Sequence, residues 1–372
     1  MKDDSGVMRS RVRLPAHLPR IALLVCLALL VISLGLVFKP GNPPEPLKLT
    51  VSERTRAAAL ADALQLRDSG EQLGAAAGGP AVSAPAAGAP AGSARTVLMQ
   101  TVSLLTTHAR ALLRPGQAPA AASSTPSPAS APATAAGLAS ALASSGRQRL
   151  ADAGAADGGT ARLLAAVGTA QLLQSTALAA AAGAPDPASG PPDPGPAVPT
   201  AAAGSCPTAG GSPSSAPVAS AGTPSGSAGL PGALAALVSS ESETIYGYQV
   251  ALTRLDGAAA KSAAEQLAHH EALLAGVESL SRSHCASIPP QEPGYALDPA
   301  FLASPGPGLA ALESTSLPAY GDLVALSDGD TRQWAIAGLL GAARRTAIWG
   351  AAPGPMPGLA VDPASLPALP AG

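Results

Sequence analysis

The sequence predicts an all-α chain with one N-terminal transmembrane helix, disordered linkers rich in Pro and Ala, and a C-terminal bundle of four helices. Three observations carry this. Eighteen consecutive residues near the start lack any charge, leucine and valine recur at helical spacing in both halves, and Pro/Gly/Ser-rich stretches separate the periodic segments.

The uncharged run is Ile21 to Phe38. At about 1.5 Å rise per residue it just crosses a hydrocarbon layer of roughly 30 Å. Lys2, Arg9, Arg11, Arg13 and Arg20 precede it, while only Lys39 and Lys48 follow closely. The positive-inside bias therefore places residues 1–20 in the cytoplasm and the bulk of the chain outside. A cleaved signal peptide would need a shorter apolar run and a small-x-small site, and Leu36-Val37-Phe38-Lys39-Pro40 offers none. Val25 is a poor residue to precede a lipidated Cys26.

The 372 residues include 40 Gly and 39 Pro, with 2% aromatic, 12% charged and 47% apolar residues. Much of the apolar share is alanine, which buries little area per residue, so a dense core is not expected over much of the chain. A net charge of −2 leaves no basic surface for phosphates, and nucleic acid binding is not expected.

Residues 47–183 hold helical segments at Ser52–Leu66, Ala94–Leu113, Gly137–Ala151 and Gly159–Ala182, separated by linkers at 74–94 and 114–135. Two arrangements fit them equally: a loose bundle, or isolated helices in a stalk, because the linkers exceed the roughly 2–8 residues usual between bundled helices. Residues 184–230 read as a third linker and 351–372 as a disordered tail, since proline leaves helix interiors and glycine gains little on ordering.

Residues 231–350 read as four helices, Pro231–Leu255, Ala258–Ser283, Leu309–Ser327 and Thr331–Trp349. Their connections run short, long, short: Asp256-Gly257, a Pro-rich crossover, and Asp328-Gly329-Asp330. That is the pattern of a four-helix bundle with one long crossover, which ferritin-like folds share. At about 100° per residue the first helix aligns Leu234, Leu237, Ile245, Tyr248, Leu252 and Leu255 with Glu241 in their midst. The second aligns Leu267, Leu274 and Val277 with His270, leaving His269 and Glu265 elsewhere. Leu309, Tyr320, Leu323 and Val324 share the third helix's inner face with Glu313. The fourth sets Arg345 among Trp334, Ala337, Gly341 and Ile348. Each helix thus points one ionisable residue inward, and burial requires that these be paired.

Glu241-Ser242-Glu243-Thr244-Ile245-Tyr246-Gly247-Tyr248, the Leu312-Glu313 pair with Tyr320 beyond it, and Arg344-Arg345 ahead of Trp349 resemble a ferritin-like domain family of unknown function. That family occurs in exported and membrane-anchored proteins of high-GC Gram-positive bacteria. The resemblance implies a ferritin-like four-helix bundle over about residues 231 to 350 and supplies no activity. Its second helix usually carries more arginine, where this chain has Leu273 and Leu274.

A carboxylate-bridged di-metal site needs one Glu from each of two helices and a Glu-x-x-His pair from each of the others. Glu241 and Glu313 match the first requirement. Glu265 and His269 stand four apart rather than three, and Thr331–Trp349 contains no Glu, Asp or His. No cofactor is expected. Arg345 is expected to supply instead the positive charge that a metal would place beside Glu241 and Glu313. No Gly-x-Ser-x-Gly elbow, phosphate loop or His-Glu-x-x-His motif occurs, so no catalytic residues are assigned.

Cys206 and Cys285 lie on the exported side, where a disulfide closing a loop of about 80 residues would contribute roughly 4 kcal/mol in the chain-entropy picture. Free thiols or intermolecular pairing fit the sequence equally. The sequence therefore predicts a membrane-anchored envelope protein with a binding or assembly role, whose envelope or wall partner it does not identify. The alternatives are a metal-binding or oxidoreductase protein with a reduced site at Glu241, His270 and Glu313, and a purely structural stalk.

Overall fold

The computed structural model describes residues 23, 25–29, 49–76, 91–113, 132–189 and 229–369. Residues 1–49 and 50–372 are two separate units. In the first, residues 23 and 25–29 are helical and exposed, and the rest of the expected span Ile21–Phe38 lies outside the described residues. So do the expected linkers, apart from their margins.

In the second unit all regular structure among the described residues is helical. The helices are α1 Val51–Ala76, α2 Ala91–Leu112, α3 Ala135–Ala155, α4 Gly158–Ala181, α5 Leu230–Leu252, α6 Gly257–Ser283, α7 Pro299–Ala303, α8 Pro305–Leu326 and α9 Gly329–Ile348. Local chemistry sets their starts. Thr50 and Glu53 form a capping box on α1: the Glu53 N–H donates to Thr50 Oγ1 and the Thr50 N–H to Glu53 Oε2. Thr134 accepts from the Gly137 N–H at the head of α3, and Asp157 from the Thr160 N–H at the head of α4. Gly257 and Gly329, at φ +52° and +50°, make the two tight turns expected at Asp256-Gly257 and Asp328-Gly329-Asp330. The Pro-rich crossover holds α7, a short helix absent from the sequence reading.

Helices α1 to α4 pack together, and α4 also packs against α8 and α9. One core cluster runs from Ala59 on α1 to Ala343 on α9. An isolated-helix stalk is therefore not what this unit forms. Alanine is also less of a handicap than its small area suggests, because small residues let helix axes come close. A Cβ added at Gly168 would stand 2.7 Å from Gly146 O, and one at Gly146 would stand 2.9 Å from Gly168 O, so α3 and α4 touch backbone to backbone. Helix α4 is long and apolar enough to cross a membrane, yet most of it is buried in this core. A helix enclosed on all sides is apolar all round for that reason.

Polar contacts pin the elements together. Asp62 on α1 accepts from Ser145 and Arg149 on α3. Arg332 on α9 donates to Ala156 O at 2.6 Å, and Arg162 on α4 pairs with Asp322 on α8 at 2.5 Å. The expected disordered tail is corrected over residues 351–369. Met356 is 4% exposed, and Leu359, Val361, Leu366 and Leu369 pack against the main core. Beyond the short 3-10 helix at Pro363–Ser365 the segment forms no helix, and side chains remote in sequence meet its backbone carbonyls.

Two core assignments also change. Ile348 is 58% exposed, because it falls on the last turn of α9, beyond the packed face. On α6 Leu273 and Leu280 are buried, at 2% and 1% exposure, while Leu274 is half-buried. The adjacent positions differ by about 100° in direction, a rotation that periodicity alone leaves open.

Candidate functional site: a buried charge cluster

Helices α5 and α8 each carry a glutamate followed seven residues later by a tyrosine: Glu241 with Tyr248, and Glu313 with Tyr320. Seven residues is about two turns, so each pair shares a face. All four side chains are fully buried. The pairs cross between helices: Tyr248 OH donates to Glu313 Oε1 at 2.7 Å, and Tyr320 OH donates to Glu241 Oε1 at 2.8 Å.

The helix after each of these supplies a base. His270 on α6 lies between the two carboxylates, with Nδ1 at 2.8 Å from Glu241 Oε2 and Nε2 at 2.8 Å from Glu313 Oε1. Carboxylate oxygens facing both ring nitrogens can only accept, so both nitrogens carry hydrogen and the ring is an imidazolium. Burial opposes that charge, but the charge and hydrogen bonds of Glu241 and Glu313 outweigh it and hold the His270 pKa above its ordinary value. Arg345 on α9 donates from Nε to Glu313 Oε2 at 2.9 Å. Burial likewise works against ionisation of Glu313. The Arg345 charge, followed by His270 and Tyr248, overcomes it and holds the carboxyl at about 2.

The structure thus brings together all four residues expected in the polar cluster, Glu241, His270, Glu313 and Arg345. Two anions face two cations, so the buried charges balance. Burial pushes both tyrosines up, with Glu313 adding to the effect on Tyr248 and Glu241 to that on Tyr320, so both phenols stay neutral donors.

The residues that the sequence reading did not join to this cluster are aromatic. Trp349 donates from Nε1 to Tyr248 OH at 2.6 Å, and the Trp334 ring lies 5.9 Å from that of Tyr320. The repeated Glu-x6-Tyr spacing on α5 and α8 is the signal that would have found the tyrosines. Two buried donors, Arg345 Nη2 and Trp334 Nε1, have no protein partner. His269 is half-buried, with its ring centroid 6.3 Å from that of His270, and Glu265 is exposed. Cys285 is disulfide-bonded. Cys206, its expected partner, lies outside the described residues.

A di-metal centre does not fit these side chains. Every oxygen of Glu241 and Glu313 already accepts from an O–H or N–H, both His270 nitrogens are engaged, and a guanidinium stands where a fourth helix would offer anionic ligands. The arrangement fixes helix register through directional, charge-assisted bonds.

Gly338 makes room for this geometry. A Cβ there would collide with Tyr320 Cε1 and stand 2.6 Å from Cδ1. Gly338→Ala should therefore destabilise the protein by about 1–3 kcal/mol through overpacking, although glycine to alanine within a helix otherwise gains about 1 kcal/mol. The midpoint of urea unfolding checks the sign, and a stabilised variant would contradict the contact.

No curated protein and no solved structure matches the chain. The family model of a domain of unknown function, DUF4439, matches residues 233–361, from the first turn of α5 to Val361, a stretch that takes in every member of the charge cluster.

Proposed function

We propose that the chain is a membrane-anchored extracytoplasmic protein of the cell envelope. Its C-terminal ferritin-like four-helix bundle holds a protonated histidine and an arginine in place of a di-metal centre, and it serves in binding or assembly rather than catalysis. The observation that carries this reading is the saturated cluster. With both carboxylates fully hydrogen-bonded and neutralised by His270 and Arg345, the cluster has neither an open ligand position nor an unengaged base. The anchor rests on the uncharged run Ile21–Phe38 and on the arginines before it.

The detergent-solubilised full chain should contain far less than one iron or manganese per molecule after exposure to either ion, and should lack visible absorption. Stoichiometric metal would overturn the proposal. A phosphatase fused after residue 372 should be active only if that end is exported, which tests the topology separately.

A further inference from the structure

Where glycine follows aspartate, the backbone can attack the side chain before it, because glycine has no Cβ to hinder the approach of its nitrogen to the aspartate Cγ. The chain contains three such dipeptides, Asp157-Gly158, Asp256-Gly257 and Asp328-Gly329. Each stands at the head of a helix, α4, α6 and α9, and all three aspartates are exposed. Their immediate surroundings differ.

Asp157 is held in place. Its carboxylate accepts from the Thr160 N–H at 3.0 Å, and its own N–H donates to Ser52 Oγ at 2.8 Å. Arg332 donates to the preceding carbonyl, Ala156 O, at 2.6 Å. On the other side a Cβ at Gly158 would collide with Ala325 O, so this backbone is packed against the end of α8. A carboxylate engaged as a cap, on a backbone pinned at both flanks, is kept from turning its Cγ onto the Gly158 nitrogen.

Asp256 and Asp328 are not held in this way, since neither carboxylate caps its helix. Gly257 and Gly329 are exposed, at φ +52° and +50°, and a Cβ added at either would meet nothing within 4 Å. Their nitrogens belong to the first turns of α6 and α9, where helix N–H groups lack an intrahelical acceptor. Nucleophile, electrophile and room to move coincide at both turns.

We propose that Asp256 and Asp328 are sites of spontaneous isomerisation to isoaspartate, and that Asp157 is protected from it. The glycine nitrogen forms a bond to the aspartate Cγ, and the carboxyl hydroxyl leaves with the amide hydrogen as water. Water then adds back to the succinimide ring. Opening the new bond restores aspartate, whereas opening the original peptide bond leaves the main chain running through Cβ, one carbon longer. No oxidant or reductant takes part. Each turn joins the helix bearing a buried glutamate to the helix bearing a cation that neutralises it, Glu241 to His270 and Glu313 to Arg345. A lengthened backbone there disturbs the register on which the cluster depends. The inference rests on neither the membrane anchor nor the binding role.

The detergent-solubilised full chain is aged in warm neutral buffer made with heavy-oxygen water, and its peptides are mapped with protein isoaspartyl methyltransferase as the probe. Methyl groups and heavy oxygen should enter the peptides holding Asp256 and Asp328. The Asp157 peptide should label about tenfold less in the folded chain than in guanidinium, where all three should label alike. Asp256→Ser and Asp328→Ser keep a side chain able to cap but offer no carboxyl, and each should abolish labelling at its own turn alone. Ageing should also lower the urea midpoint of the parent and leave that of the double variant in place.

Equal labelling of all three peptides in the folded chain would overturn the proposal. So would peptides holding Asp256 and Asp328 that label in guanidinium but not in the folded chain. A fully labelled parent with an unchanged midpoint would refute the effect on the cluster.

Discussion

Replacing Arg345 with alanine should cost about 3–5 kcal/mol of folding stability, the range for removing one member of a buried ion pair. The loss arises mainly from what remains. Glu313 Oε2 would lose its N–H donor at 2.9 Å, and the buried cluster would hold two carboxylates against a single imidazolium. Burial, which already opposes ionisation of Glu313, would then be countered by His270 and Tyr248 alone. The carboxyl would ionise less readily, and the variant's acid unfolding should begin at a higher pH than the parent's. Arg345→Lys keeps the charge but not the planar guanidinium, and should recover only part of the loss. Arg345→Met combined with Glu313→Gln removes both charges and should be less damaging than Arg345→Ala, since no unpaired anion remains. Urea unfolding of the four proteins measures this order. A single alanine variant as stable as the parent would show that Arg345 does not neutralise the cluster.

The four ionisable members were legible because each interrupts an apolar stripe at helical spacing, and an interruption of that kind has to be explained by pairing. What could not be read was which atom meets which. That depends on helix rotation, and the same ambiguity placed Leu274 rather than Leu273 on the inner face. Tyr248 and Tyr320 were read as apolar surface because a phenol packs like one, and their hydroxyls matter only once the opposing glutamate is in reach. The packed segment 351–369 was illegible for another reason. Its partners His108, Arg110 and Arg162 are separated from it by about 200 residues or more. A Pro/Gly-rich composition reports the absence of local hydrogen bonds and carries no information about remote donors. The shared core was hidden likewise: alanine and glycine signal weak burial in isolation, and their value at Gly146 and Gly168 appears only when two backbones meet.

Stability should pass through a maximum near pH 6.5 and fall on both sides. Two buried groups with depressed folded-state pKa values, His108 and Glu313, set most of the acid limb, and the largely exposed Asp157, held low by Ser52 and Thr160, acts in the same direction. Burial lowers His108 from 6.5 to about 4, against a smaller opposing effect of the Pro355 carbonyl. Its contribution is complete above pH 6.5, declines as the unfolded chain takes up a proton that the folded one refuses, and is gone below about 4. Glu313, displaced from 4.5 to about 2, contributes fully above 4.5 and is lost as pH falls through 2. Each displacement corresponds to on the order of 3 kcal/mol. The two losses are staggered, with His108 titrating first. His270 sets the alkaline limb with the opposite sign. Its folded-state pKa is raised, so its contribution is complete below 6.5 and disappears as pH rises through the folded value, where Glu241 and Glu313 are left facing a neutral ring. Urea unfolding across pH 3–9 measures the profile. His108→Gln should flatten the limb between pH 6.5 and 4 while leaving the alkaline limb in place, and His270→Gln should abolish the alkaline limb. A profile unchanged by either substitution would rule out these histidines as the titrating groups.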